Sequence, residues 1–277
     1  ITTIKKSLTM SIDVLICSLN KGIVRVDEVM LPPRSDVHYI VSYQYTDERY
    51  LDLIPESLSQ REDVTLYKYN GQGLSANRNL AMEKSTAEFF MYADDDTHFT
   101  EDTFNTIFEI FKKETNLDIA FFRASTYTGK LLKSYPDNEQ SLTAMPKDYI
   151  ISAIEMVCRR EAVQGKIRFD ERFGLGTKFL TCGEEEIWME DAVKAGFKMK
   201  YFPIKIVETS TLLKKSMIYV DAGVQRSYGA ILYYKYGYKA WIKSLQFAWH
   251  SARKRMCHFN PFFRHLLEGI AYMRKSE

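Results

Sequence analysis

The run Asp94-Asp95-Asp96 follows the apolar stretch Phe89-Phe90-Met91-Tyr92-Ala93 and precedes a helix start at Thr100-Glu101-Asp102. A strand with that composition is buried, so the chain must fold in a way that brings three carboxylates to a strand end. Adjacent anions repel one another and resist burial, and a cation or several hydrogen-bond donors are expected beside them. Oxygen-only ligation suits Mg2+ or Mn2+, which bind through one or two carboxylates and leave positions for substrate phosphates. A solvated acidic turn is the plainer alternative, since Asp is common in turns.

The rest of the pattern is that of an alternating α/β chain. Ile12 to Ser18, Val37 to Tyr43, Val64 to Tyr69 and Ile119 to Arg123 are apolar runs of strand length. Phe104, Ile107, Phe108 and Phe111 mark one face of a helix directly after the acidic run. Such alternation predicts a mostly parallel, Rossmann-like sheet flanked by helices, with its ligand crevice beyond the carboxyl ends of the strands. Lys198 to Phe202 reads as a short strand ended by Pro203, and Glu184 to Ala195 as a helix with Gly196 past its end. Residues 125 to 150, polar and carrying Pro136 and Pro146, read as an irregular excursion.

Asn70 to Asn79 is a glycine-bearing loop running into a helix with Ser75 as the expected N-cap, and an Arg at such a terminus favours anions. Further on, Phe173-Gly174-Leu175-Gly176-Thr177 leads to Gly183-Glu184-Glu185-Glu186-Ile187-Trp188. The order Gly73-x-Ser75-x-x-Arg78-Asn79, then Asp94-x-Asp96, then Phe173-Gly174-x-Gly176 and Gly183-Glu184-Glu185 resembles the family 2 inverting glycosyltransferases over roughly residues 11 to 210.

That resemblance implies a GT-A fold and sugar transfer from a nucleotide-sugar donor to an acceptor hydroxyl. It places Asp94 on the ribose or metal and Asp96 on Mn2+ or Mg2+, with Asp95 at the variable place beside the donor. It sets Arg78 toward the diphosphate or the acidic run, and Ser18 and Asn20 at the donor end of the first strand. Glu185 becomes the acceptor base, with Glu184 next, while Gly176 and Trp188 flank the acceptor; core packing is an equal reading for Trp188. Two departures stand out. Many relatives end the second strand with a base-reading Asp, where this chain has Ser42-Tyr43-Gln44; many have a metal-binding His where this chain reads Val207-Glu208-Thr209. Glu208 is the oxygen ligand that would substitute there, and His98 is a weaker one. Loss of both residues leaves open a second class of function, an inactive binding or assembly protein that keeps the nucleotide-sugar fold. A phosphatase of the haloacid dehalogenase type, with its Asp-x-Asp-x-Thr order, is disfavoured because His98 stands in the last place.

Charge divides the chain. Residues 212 to 277 carry 12 Lys and Arg against 3 Asp and Glu, a net of +9 that leaves −7 on residues 1 to 211. The expected organisation is therefore a catalytic domain over 1 to 211 and a basic, aromatic-rich helical tail over 212 to 277. Cations among aromatics suit peripheral contact with an anionic membrane, and nucleic acid is the less favoured partner. Plain helix packing is the competing reading of the tail. Cys17, Cys158, Cys182 and Cys257 show no metal or disulfide spacing, no apolar run is long enough to span a membrane, and Ile1 to Met10 is too short and polar for a signal peptide. A cytoplasmic protein, soluble or at the inner face of the cell membrane, is expected, with a saccharide or lipid-linked acceptor. Bacterial surface-polysaccharide or glycoconjugate assembly is the family's typical setting. Donor sugar, linkage and oligomeric state are left open.

Overall fold

The apolar runs become strands, and all but the edge run Val64–Asn70, which has no buried residue, are covered on both faces. A computed structural model describes residues 10–143, 151–210 and 215–276. Its strands are β1 (Ile12–Leu19), β2 (Val37–Tyr45), β3 (Val64–Asn70), β4 (Phe89–Asp94), β5 (Thr97–His98), β6 (Ile119–Thr126), β7 (Gln140–Ser141), β8 (Met156–Arg159) and β9 (Met199–Thr209). Its helices are α1 (Val26–Val29), α2 (Ser57–Gln60), α3 (Leu74–Lys84), α4 (Glu101–Lys113), α5 (Arg160–Val163), α6 (Glu184–Lys194), α7 (Ala222–Tyr236), α8 (Ala240–Arg253) and α9 (Phe259–Lys275).

The sheet runs β3-β2-β1-β4-β8-β6-β9-β5, with β7 added against β9. The long pairings are parallel, and the short β8 is reversed between β4 and β6. This is the mostly parallel α/β sheet flanked by helices that the sequence predicts. Register places Cys17 opposite both Ser42 and Asp94, and Leu19 opposite Gln44. The ends of β1, β2 and β4 therefore open onto the same crevice. Alternate residues supply two cores: Val14, Ile16, Val41 and Met91 pack with Phe104, Ile107 and Phe111 of α4, while Leu15, Ile40, Phe90 and Tyr92 pack with Trp188 and Met189 of α6. Each such fully buried side chain contributes about 1.5–3 kcal/mol relative to exposure.

Two local expectations change. Pro203 does not end the last strand; β9 continues to Thr209 because its register against β6 shifts between Phe121 and Arg123, which accommodates a residue without an N–H. Ser75 is not the N-cap of α3. That place belongs to Gly73 at φ +132, and the Ser75 hydroxyl donates to the Phe173 carbonyl at 2.7 Å. Pro146, Ile150 and the boundary expected near Leu212 lie outside the described residues.

The tail is helical and is stitched to the rest. Phe173, Leu180 and Ile187 share one apolar cluster with Ala230, Ile231, Tyr233, Ile270 and Met273. Helices α7 and α9 cross at two glycines: a Cβ on Gly229 would lie 2.0 Å from the Leu266 oxygen, and one on Gly269 1.9 Å from the Arg226 oxygen. That approach is closed to any other residue type.

Candidate functional site

A cavity of about 200 Å³ opens where β1, β2 and β4 end, with Ser18, Gln44, Asn77 and Asp94 among its lining residues. Two glycine loops form its opposite wall. Gly176, at φ +90, packs so tightly on the loop before α3 that a Cβ would sit 2.9 Å from the Gly73 nitrogen, and the Leu74 N–H donates to the Leu175 carbonyl at 2.9 Å. The loops hold each other through backbone, which fixes the mouth of the cleft without bulky side chains.

Helix α3 turns polar residues inward. Ser75, Asn77, Arg78 and Asn79 are all buried, so hydrogen bonds rather than an apolar stripe hold this helix in place. The Asn79 amide donates to the Phe169 carbonyl at 2.9 Å and accepts from the Phe169 N–H at 2.8 Å. Asn77 donates to the Ser18 carbonyl at 3.2 Å. Its Oδ1, and Nε2 of Gln44, have no partner among the described residues. Buried polar atoms are nearly always paired, so these two are the natural places for a bound ligand to complete.

Arg78 is the centre of the site. Its side chain is only 4% exposed; Nη1 lies 3.2 Å from Glu184 Oε1 and 3.5 Å from Glu185 Oε1, and Nη2 lies 3.9 Å from Asp94 Oδ1. Its guanidinium also lies over the Phe169 ring at 5.3 Å. One buried cation thus joins the acidic run at the end of β4 to the acidic cluster that opens α6. Those anions hold the Arg78 pKa above its ordinary value against the effect of its own burial.

The three aspartates diverge. Asp94 faces Arg78 and the cleft, and loss of water around it raises its pKa, offset by Arg78. Asp95 accepts from the Ser18 hydroxyl at 3.0 Å and pairs with Arg25. It packs over Gly22, where a Cβ would collide with its Oδ2. Asp96 turns to β9, accepting from Thr209 Oγ1 at 3.2 Å and from Ser210. All donors here are oxygens, the class that Mg2+ and Mn2+ take, but no group of three His, Cys, Asp or Glu able to hold a metal occurs among the described residues.

Glu185 accepts from the Ala153 N–H at 2.6 Å through the same Oε1 that faces Arg78. Burial pushes its pKa up to about 7, helped by Glu184 and opposed by Arg78 and the Ala153 N–H. Burial raises Glu184 as well, again opposed by Arg78. The buried Lys133 ammonium, 2.9 Å from Glu155, adds a smaller positive field at Glu185.

Ser18, Asp94, Asp95 and Gly176 line this cleft, Arg78, Glu184 and Glu185 are tied to Asp94 by the buried ion pairs, and other expected residues lie outside it. Trp188 is 0% exposed and stacks on Phe169 at 5.9 Å, so it is a core residue that no acceptor reaches. Glu208 pairs with Lys205 at 2.6 Å. Its carboxylate acts on Tyr127 together with that of Asp96, without bonding to the acidic run. His98 stacks on Tyr127, and Asn20 braces the loop at Thr46 through hydrogen bonds of 2.9 and 3.1 Å. Sequence reasoning passed over Gln44 and Asn77 as cleft residues, and Arg25 and Gly22 as supports for Asp95. Gln44 follows from parallel register and Asn77 from a helix polar on its inner side; the Gly22 and Arg25 contacts carry no local signal.

The family model for glycosyl transferase family 2 matches residues 34–170, a span that contains Arg78 and the acidic run. No curated protein matches the chain in sequence. Among solved structures, the chain resembles the fragment 1–349 of S. aureus TarS, with a TM-score of 0.62 and 10% identity over 97% of this chain and 92% of that one. The same fragment in complex with UDP-GlcNAc gives a TM-score of 0.61 at 9% identity, covering 97% and 93%. Against the longer S. aureus TarS chain the TM-score is 0.55 at 13% identity, covering 86% of this chain and 42% of that one. At such identities the likeness is one of fold.

Proposed function

The chain belongs to the family 2 glycosyl transferases and has their GT-A fold, and on that premise we propose that it transfers a sugar with inversion from a nucleoside-diphosphate donor to an acceptor hydroxyl. The observation that carries this reading is Arg78, held between Asp94 and the pair Glu184 and Glu185; in this reading Asp94 serves the donor and the glutamates the acceptor. The donor nucleotide occupies the cleft between the β1 and β2 ends and the paired glycine loops. Gln44 Nε2 and Asn77 Oδ1 offer it one donor and one acceptor.

Asp94 and Asp96 are the residues that would hold Mn2+ or Mg2+, whose chemistry there is to neutralise charge gained by the departing diphosphate. Inversion needs a base on the face opposite the leaving group. Glu185 meets that need: Oε1 is fixed by the Ala153 N–H and Arg78, which leaves Oε2 to take the acceptor proton. A pKa of about 7 keeps roughly half of this carboxylate ionised at neutral pH while leaving it basic enough to accept a proton. Arg78 holds the two acidic groups in register with each other.

The acceptor we favour is a saccharide or lipid-linked hydroxyl in polysaccharide or glycoconjugate assembly, at the cytoplasmic face of a membrane. Among the described residues no helix is long and apolar enough to cross one. A TarS fragment was crystallised with UDP-GlcNAc, which makes UDP-sugars the first donors to test. A thermal-shift screen of nucleotide sugars with and without Mn2+ tests the reading, since a ligand of the folded state raises the unfolding temperature. Selective, Mn2+-dependent stabilisation by one nucleotide class is expected; no response to any of them would remove the cleft as a donor site.

A further inference from the structure

Helix α8 is packed inside out. Its small residues Ala240, Ser244, Ala248 and Ser251 are buried, while Trp241, Ile242, Leu245 and Trp249 are exposed. These four fall on one stripe at helical spacing. Ile242 is 61% and Trp249 58% exposed, and Tyr238 before the helix and Met256 after it are exposed as well. A helix packed only for stability would turn these large residues inward. Exposed contiguous apolar surface of this kind marks an interaction site.

The charges around the stripe identify what covers it. No Asp or Glu occurs between Asp221 and Glu268, a span that holds eight Lys and Arg. Three of them are neutralised by acids: Lys235 pairs with Glu190, and Arg226 and Arg264 with Glu268. Lys239, Lys243, Arg253, Lys254 and Arg255 make no ion pair among the described residues, and these are the five that belong to α8 and its ends. Lys243 lies over the Tyr236 ring at 4.1 Å and Arg253 over Trp249 at 5.8 Å. Cations beside amphipathic rings match the boundary between lipid headgroups and acyl chains, where long basic side chains reach phosphates and Trp lies at headgroup depth. A second copy of the chain is disfavoured as the occupant, because a two-fold contact would set this cationic stripe against itself.

We propose that the exposed face of α8, centred on Ile242, Leu245 and Trp249 and edged by Lys239, Lys243 and Arg253, is a docking surface for an anionic lipid bilayer. The helix lies on the membrane and does not cross it, since no described helix is long and apolar enough to span. This surface is separate from the catalytic residues. It is joined to them through α7, whose Ile231 packs against Gly183 at the start of α6. The proposal does not rest on the identity of the donor, and its test requires no turnover.

Flotation of the full chain with phosphatidylcholine vesicles, with and without phosphatidylglycerol, at low and high salt reads the surface directly. Binding to the anionic vesicles alone, weakened by salt, is expected. Lys239→Glu with Lys243→Glu should lower partitioning at low salt by at least about 25-fold, from roughly fivefold per cation lost. Leu245→Ser with Trp249→Ser should lower it about tenfold or more at either salt concentration. Thermal unfolding of both variants should match the parent, because the replaced groups do not face the core. Failure of the parent chain to float, equal flotation with neutral vesicles, or variants that float like the parent would each overturn the proposal. So would a dimer, seen by sedimentation in a chain that does not float, that the Leu245 and Trp249 changes dissolve; that result would assign the face to self-association.

Discussion

Replacing Arg78 with Met keeps most of the side-chain volume and removes the charge, so it isolates what the guanidinium does for the acids around it. At 3.5 Å, the Arg78 to Glu185 distance, two unit charges attract by about 1 kcal/mol in water and about 5 kcal/mol at the effective dielectric of roughly 20 that suits protein sites. Measured losses on breaking a buried pair are about 3–5 kcal/mol, because the partner stays buried and unpaired. Glu184 and Glu185 already have raised pKa values, and Arg78 is what restrains them. A carboxyl whose pKa is higher folded than unfolded binds protons more tightly in the fold, so its stabilising effect is full below the unfolded value and is lost as pH rises through the folded one. Without Arg78 the folded values move higher and the loss deepens. Urea unfolding followed by tryptophan fluorescence should therefore show Arg78→Met destabilised by about 3–5 kcal/mol near pH 8. Near pH 5 the penalty should shrink by about 1 kcal/mol or more as the carboxyls protonate. An equal penalty at both pH values would refute the claim that Arg78 compensates buried carboxylates.

Glu185→Gln should keep donor affinity by calorimetry while transfer falls roughly 10²-fold or more; an inactive Glu184→Gln beside an active Glu185→Gln would move the base to the neighbouring residue. In the parent enzyme, transfer should decline as pH falls through about 7, where Glu185 takes up a proton, and a rate that stays flat down to about pH 5 would contradict that role. Asp96→Asn should uncouple Mn2+ from nucleoside-diphosphate binding in a calorimetric titration, and unchanged coupling would take Asp96 out of the metal set. Gly229→Ala should lower stability by about 1–3 kcal/mol or more, since the added carbon would meet the Leu266 oxygen at 2.0 Å; an unchanged thermal midpoint would show that α7 and α9 part easily.

The parallel core was readable because β1, β2, β4 and β6 are short apolar runs bounded by turns, and α4 has a clear apolar face. The ordered glycine and acidic motifs were readable too, since each lies where a strand or loop meets a helix. What stayed hidden depends on partners distant in the chain. Helix α3 carries no apolar stripe because its inner side bonds to residues some 90 positions away, as Asn79 does with Phe169. The central place of Arg78 arises only when α3, β4 and α6 meet, and a local reading sets it toward a diphosphate or the acidic run without the glutamates of α6. Trp188 looked available beside three glutamates, yet the helical turn that exposes part of Glu185 buries the indole. Glu208 is engaged by Lys205 three residues before it on the same strand, a pairing that no motif announces. On α8 the composition announced cations and aromatics, but only packing reveals that the large residues face outward.

The most direct test of the account is donor turnover: release of nucleoside diphosphate from nucleotide sugars, with Mn2+ present and absent, by the parent chain and by Glu185→Gln in the presence of saccharide and lipid-linked acceptors. The account requires Mn2+-dependent release by the parent, a product whose anomeric configuration by NMR is opposite to that of the donor, and loss of release in the variant with donor binding intact. Saturable binding of a nucleotide sugar without release at any pH between about 6 and 9 would contradict it, as would a product that keeps the donor's configuration.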